Sequence, residues 1–123
     1  MALVATSSNF GTLGASLSVK QYVEKELADT PQLIVIAGCE SRYRQYNPDG
    51  SVFRGQINPN DIGVLQINLT YNGAEAQKLG YDIYTLQGNV AFAKYLYQQE
   101  GSQPWSSSEA CWGNDGDATV AQN

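Results

Sequence analysis

The sequence contains no histidine, and that absence excludes more chemistry than any single residue present suggests. Without imidazole there is no Ser-His-Asp triad, no Cys-His dyad and no His-x-x-x-His zinc site. Acid–base chemistry near neutral pH is left to a carboxylate with a shifted pKa, or less often to a tyrosine or lysine. Basic residues are scarce too: seven Lys and Arg stand against twelve Asp and Glu, a formal charge of −5. With no Lys/Arg run, binding of nucleic acid through a basic patch is not expected. No stretch approaches the roughly 18 consecutive apolar residues of a transmembrane helix, so membrane insertion is not expected either. The opening M-A-L-V-A-T-S-S lacks the charged start and long apolar segment of a secretory signal. Two cysteines permit one disulfide without demanding it.

At 123 residues the chain suits one domain with one core. Residues 1–17 are rich in Ser, Thr, Gly and Ala and read as a loose lead-in. Residues 113–123 read as a polar tail, leaving 18–112 as the folded domain. Ser18 is placed to cap a helix through Val19, Tyr22, Val23, Glu26 and Leu27. Thr30-Pro31 is a stronger start signal, with Thr as N-cap and Pro in the first turn. The run that follows, Q-L-I-V-I-A-G-C-E-S, also suits a buried strand, but the Thr-Pro start favours a buried helix. Pro48-Asp49-Gly50 and Asn58-Pro59-Asn60-Asp61 carry turn chemistry and flank the short strand candidates V-F-R and I-G-V-L-Q-I. Asn72, with Glu75 at the capping-box position, predicts a short helix ending near Gly80. A longer helix is expected from Leu86 to Glu100, with Leu86, Val90, Ala93 and Tyr97 on one stripe and Gly101 as its stop. The expected class is α+β, mostly helical, with a small β element.

Glu40 is the first candidate for chemistry. Near the C-terminal end of the Thr30 helix, it shares a face with Leu33, Ile36 and Ala37. Apolar surroundings and the negative end of the helix dipole would both raise its pKa. A carboxylic acid kept protonated near neutrality is what general-acid cleavage of a glycosidic bond requires. The alternative is a helix-end glutamate facing solvent, paired with Arg42 or Arg44.

The segment N-D-I-G-V-L-Q-I-N, residues 60–68, resembles the lysozyme-like superfamily of peptidoglycan-cleaving enzymes. Animal lysozymes carry D-Y-G-I-L-Q-I-N on their small sheet, after a helix ending in the catalytic Glu-Ser. Bacterial lytic transglycosylases carry a related G-L-M-Q-I segment after a helix ending E-S. Here Glu40-Ser41 and Gly63-Val64-Leu65-Gln66-Ile67-Asn68 stand in the same order at a comparable distance. N-V-A-F-A-K-Y-L-Y and the Trp/Ser/Cys-Trp stretch after it are similar to the transglycosylase side. The likeness spans roughly residues 30 to 112.

The resemblance implies a lysozyme-like fold with a β-hairpin region beside an active-site cleft. It implies cleavage of the β-1,4 bond between N-acetylmuramic acid and N-acetylglucosamine, with Glu40 as acid and base and, on the transglycosylase pattern, 1,6-anhydro products. The alternatives are a hydrolytic muramidase using Glu40 and Asp61, or a non-catalytic glycan-binding domain. Asp61 matches the second carboxylate of animal lysozymes; read on its own, it is equally a turn residue that starts the strand. Ser41, Gln66, Asn68 and Tyr71 match substrate-binding positions. The chain departs from animal lysozymes in its longer Glu40 to Asp61 interval and its missing cysteines. No cofactor or metal is implied, and Asp115 and Asp117 are too few for calcium. The implied partner is the peptidoglycan glycan strand, met by a monomer in an extracellular, periplasmic or cell-wall setting, or on a phage particle.

Two further readings come from the residues alone. Cys39 and Cys111 are either two buried thiols or a bridge closing a loop of about seventy residues, worth on the order of 4 kcal/mol. Most of the tyrosines, with Trp105 and Trp112, read as core or rim, although such rings also serve as sugar-stacking surfaces.

Overall fold

In a computed structural model of the chain, residues 16–113 are described; the lead-in up to residue 15, the tail from residue 114, and with it Asp115 and Asp117, lie outside them. Four helices surround a small antiparallel hairpin: α1 (Val19–Glu26), α2 (Pro31–Ser41), β1 (Asp61–Ile62), β2 (Ile67–Asn68), α3 (Leu69–Lys78) and α4 (Leu86–Glu100). A 3-10 segment over Gln103–Ser108 and a helical turn over 109–113 follow. The described part is therefore α+β and mostly helical.

Local chemistry explains most of the boundaries. Ser18 caps α1 in a reciprocal capping box with Gln21. Thr85 caps α4 by accepting from Gly88 N, and Gly101, in a left-handed conformation, ends it. At the start of α2, Pro31 does the work expected of it, but the Thr30 hydroxyl donates to the Leu27 carbonyl (3.3 Å) and caps nothing. The start of α3 differs from expectation. The helix begins at Leu69 with Asn68 as its N-cap, which leaves Asn72 in its interior. Strand β2 passes directly into the helix, so the chain is already held at Asn68 before Asn72 is reached.

The segment 62–67 is also not one strand. Asp61 pairs with Asn68 and Ile62 with Ile67, and the four residues between them form a turn. Gly63 (φ 73°) and Gln66 (φ 50°) are both left-handed and reverse the chain. Val64 and Leu65, within the turn, are both fully buried. V-F-R contributes single bridges rather than a strand: Arg54 pairs with Ile62, and Val52 with Tyr46.

The core forms where α1, α2 and α4 meet this hairpin, around Leu27, Leu33, Ile36, Val64, Leu65 and Phe92. Burying each large aliphatic side chain there contributes about 1.5–3 kcal/mol. A turn placed in such a core must have its backbone polar groups satisfied by other parts of the chain. Gln45 Oε1 accepts from Val64 N (2.9 Å), and Asn89 Oδ1 from Leu65 N (2.9 Å). The Ser41 hydroxyl donates to the Val64 carbonyl and the Trp105 indole to the Leu65 carbonyl, each at 2.8 Å. The fit around Gly63 is equally close: a Cβ there would lie 2.5 Å from Asn89 Nδ2 and 2.6 Å from Gln45 Oε1.

Asn89 holds most of this together, because its amide also donates to the Ile62 carbonyl (2.9 Å) and the Ile83 carbonyl (2.8 Å). N89A strands the buried Leu65 N–H and takes a donor from the Ile62 and Ile83 carbonyls, of which Ile83 keeps Gln45 Nε2 at 3.3 Å. We predict a loss of about 2–4 kcal/mol in urea unfolding. A loss below about 0.5 kcal/mol, the range of an ordinary surface substitution, would contradict the clamp.

Candidate functional site

Glu40 is the penultimate residue of α2, one turn beyond the fully buried Ile36 and Ala37. The helix phase that buries those two also draws the Glu40 carboxyl partly out of water. Beyond it, Arg42 (φ 54°) and Tyr43 (φ 62°) are successive left-handed residues, a conformation that costs side-chain-bearing residues roughly 1–2 kcal/mol each. This reversal carries Arg42 and Arg44 back to the same wall as Glu40. Neither pairs with it. Among the described residues the one ion pair joins Lys94 and Asp29 (3.0 Å).

Facing Glu40 is an open groove of about 810 Å³. Glu40, the two arginines and Ser108 lie along it with Phe53, Asp61, Gln66 and the 55–58 loop. The loop comes this close because residue 55 is glycine: a Cβ there would lie 2.5 Å from the Asn58 carbonyl and 2.8 Å from Gln66 Oε1. A second hollow, of about 680 Å³ beside α3, holds one carboxylate, Asp82, whose Oδ1 accepts from Tyr84 N (3.0 Å). The 810 Å³ groove is where two carboxylates meet.

The Glu40 carboxyl is held above the usual carboxylate range. Burial is the largest cause, and the neighbouring Asp61 charge pushes the same way. The Ser108 hydroxyl opposes both by donating to Glu40 Oε2 at 2.5 Å. An acid in this position holds its proton at higher pH than a free glutamate and keeps one strong hydrogen bond for its charged form.

The other sequence candidates divide into two groups. Asp61 and Gln66 line the groove with Glu40. Asp61 Oδ1 accepts from Asn68 Nδ2 (2.8 Å), which orients its carboxylate. Both amide protons of Gln66 are committed, to the Asp61 carbonyl (3.2 Å) and the Gly63 carbonyl (3.0 Å), leaving Oε1 as the group it can offer. Ser41, Asn68 and Tyr71 are not among the lining residues. Ser41 is buried and ties the end of α2 to the hairpin turn. Asn68 caps α3 by accepting from Tyr71 N (3.0 Å) while it braces Asp61. Tyr71 is 84 % exposed on the first turn of α3. Trp105 and Trp112 are buried and do not line the groove; the ring that does is Phe53, itself mostly buried, with the Arg44 guanidinium 4.2 Å from its centre. Among the described residues no cluster of three or more acidic or Cys side chains is arranged to hold a metal.

Sequence reasoning missed Ser108. It lies 68 positions from Glu40 in a Q-P-W-S-S-S run that carries no motif. The cysteines held the signal. Cys39 is bridged to Cys111, so the residue beside Glu40 is joined to one three positions from Ser108. Reducing the bridge opens a loop of 72 residues and should lower stability on the order of 4 kcal/mol. Thermal melts with and without reductant check this, and coincident melts would contradict it.

The raised Glu40 pKa also makes a prediction for stability. A carboxyl whose folded pKa lies above its unfolded one stabilises the fold at low pH, and that stability is lost as pH rises through the folded value. E40Q removes the buried charge and keeps an acceptor for Ser108. The variant should therefore be more stable than the parent at pH 7, and the advantage should vanish below the ordinary carboxylate range. Urea titrations at both pH values test this, and a pH-independent difference would contradict it.

No protein-family model matches the chain, and no curated protein or solved structure does. The groove's own chemistry therefore carries the functional reading.

Proposed function

We propose that this chain is a peptidoglycan-cleaving enzyme of lysozyme-like fold, acting on the β-1,4 bond between N-acetylmuramic acid and N-acetylglucosamine. The observation that carries the reading is Glu40, a desolvated carboxyl with a raised pKa on the wall of an open groove that a second carboxylate, Asp61, also lines. Glu40 protonates the glycosidic oxygen as the bond to C1 of the muramic acid breaks. The resulting carboxylate then takes the proton from the sugar's 6-hydroxyl as O6 closes on C1. The products are a free 4-hydroxyl on one sugar and a 1,6-anhydro ring on the other, and Glu40 regains its proton.

The rest of the groove supports a glycan bearing acidic substituents. Gln66 Oε1 is an acceptor suited to an acetamido N–H. Ile57 is fully exposed on the 55–58 loop and offers an apolar surface to the face of a sugar ring. Arg42 and Arg44 bring two cations to the groove of a chain of net charge −5, suited to the stem-peptide carboxylates of the wall polymer.

Asp61 favours a second outcome. Lining the same groove as Glu40 and acting on it electrostatically, it suits stabilisation of an oxocarbenium carbon while water attacks, which is the hydrolytic reaction. The two routes differ in how much they need it. General acid catalysis is typically worth 10²- to 10⁴-fold, so E40Q should lower the rate of cell-wall turbidity loss at least about 100-fold. On the anhydro route D61N should cost about tenfold or less, and on the hydrolytic route a loss comparable to that of E40Q. Lysis by E40Q at the parent rate would refute the catalytic assignment.

A further inference from the structure

Ser108 Oγ sits among three polar partners at once. Glu40 Oε2 is 2.5 Å away, the Trp105 carbonyl 3.1 Å and Trp112 Nε1 3.0 Å. A hydroxyl has one proton and two lone pairs, an indole N–H only donates and a carbonyl only accepts. Trp112 Nε1 therefore donates, with both Oγ and the Trp105 carbonyl (3.1 Å) within its reach, and the single Ser108 proton has two acceptors to choose between. Which one it takes depends on the charge of Glu40.

With Glu40 ionised, the Ser108 hydroxyl donates to Oε2. The Trp105 carbonyl still has a donor, because Trp112 Nε1 lies 3.1 Å from it as well. With Glu40 protonated, the carboxyl O–H donates to the second lone pair of Oγ, and the Ser108 proton turns to the Trp105 carbonyl. Every group keeps a partner in both states and only hydrogens move. We infer that Ser108 is a positioning residue that lets Glu40 gain and lose its proton without any rearrangement of its surroundings.

The frame around this switch is rigid. Trp105 and Trp112 are both buried. The Trp105 indole is fixed to the Leu65 carbonyl (2.8 Å) in the hairpin turn, and Cys111, next to Trp112, is bridged to Cys39, next to Glu40. Hairpin, 3-10 segment and α2 therefore hold Oγ and Oε2 in one position. A fixed partner for both protonation states suits a residue that gives a proton in one step and takes one back in the next. That use rests on the catalytic reading of Glu40; the switch itself does not.

The test begins without substrate. The Glu40 carboxyl carbon is followed by NMR as pH is varied, in wild type, S108A and S108T. Loss of a hydrogen bond to the charged form should move the Glu40 midpoint to higher pH in S108A, and S108T should restore it. In wild type the Trp112 indole N–H resonance should titrate with the same midpoint while backbone amides hold their positions. This readout stands even if S108A does not fold. An S108A midpoint that is unchanged or lower, or an indole resonance flat through the Glu40 transition, overturns the inference.

In turnover, S108A should lower kcat roughly tenfold, the equivalent of one charge-assisted hydrogen bond, and move the alkaline limb of the pH profile upward. A purely structural role would lower activity equally at every pH. If wild type cleaves no peptidoglycan but the NMR midpoints move as stated, the functional proposal fails and the switch stands.

Discussion

A buried turn whose two central residues, Val64 and Leu65, bond through their backbone to side chains from elsewhere in the chain is the constraint on which the rest of the structure depends. Val64 and Leu65 are driven into the core by their side chains, and their backbone groups go with them. Four side chains from four places meet that demand: Ser41 at the end of α2, Gln45 after it, Asn89 on α4 and Trp105 in the 3-10 segment. A buried amide or carbonyl left unpaired costs on the order of 1–3 kcal/mol, so each of these bonds is strongly specified. Together they fix the end of α2 relative to the hairpin. Glu40 stands on one of those pieces, Asp61 and Gln66 on the other, and all three line the groove.

The same packing sets the electrostatics. The apolar face that anchors α2 is what desolvates Glu40, and the hairpin anchored to it brings in the Asp61 charge. Both raise the cost of ionising Glu40, while Ser108 lowers it. Opposing influences thus act on one carboxyl from groups that the fold holds around it. The fold bears a stability cost at neutral pH for this arrangement, and such costs collect at functional sites.

Much of this was legible in the sequence where the signals are local. Pro31 and Gly101 mark real helix ends, and α4 runs from Leu86 to Glu100 as its periodicity predicts. Because the phase of α2 follows from its start, the face carrying Glu40 could be read as well. The hairpin could not, since its four-residue turn is held by Gln45 and Asn89, whose hydrogen bonds span 19 and 24 positions. The cap of α3 was misplaced for a related reason. Local rules favour Asn72, which has Glu75 three residues on, and the pairing of Asn68 with Asp61 across the hairpin overrides them. Ser108 was the least legible of all, because nothing in a run of three serines signals contact with a residue 68 positions away.

The central claim is that one groove-wall glutamate cuts glycan strands by giving and then recovering a proton. Mass spectrometry of purified peptidoglycan digested by the protein tests it most directly. The account predicts fragments cut between N-acetylmuramic acid and N-acetylglucosamine that carry 1,6-anhydro ends. Reducing-end muropeptides in their place would shift the chemistry to hydrolysis with Asp61. Intact strands after prolonged digestion would contradict the account.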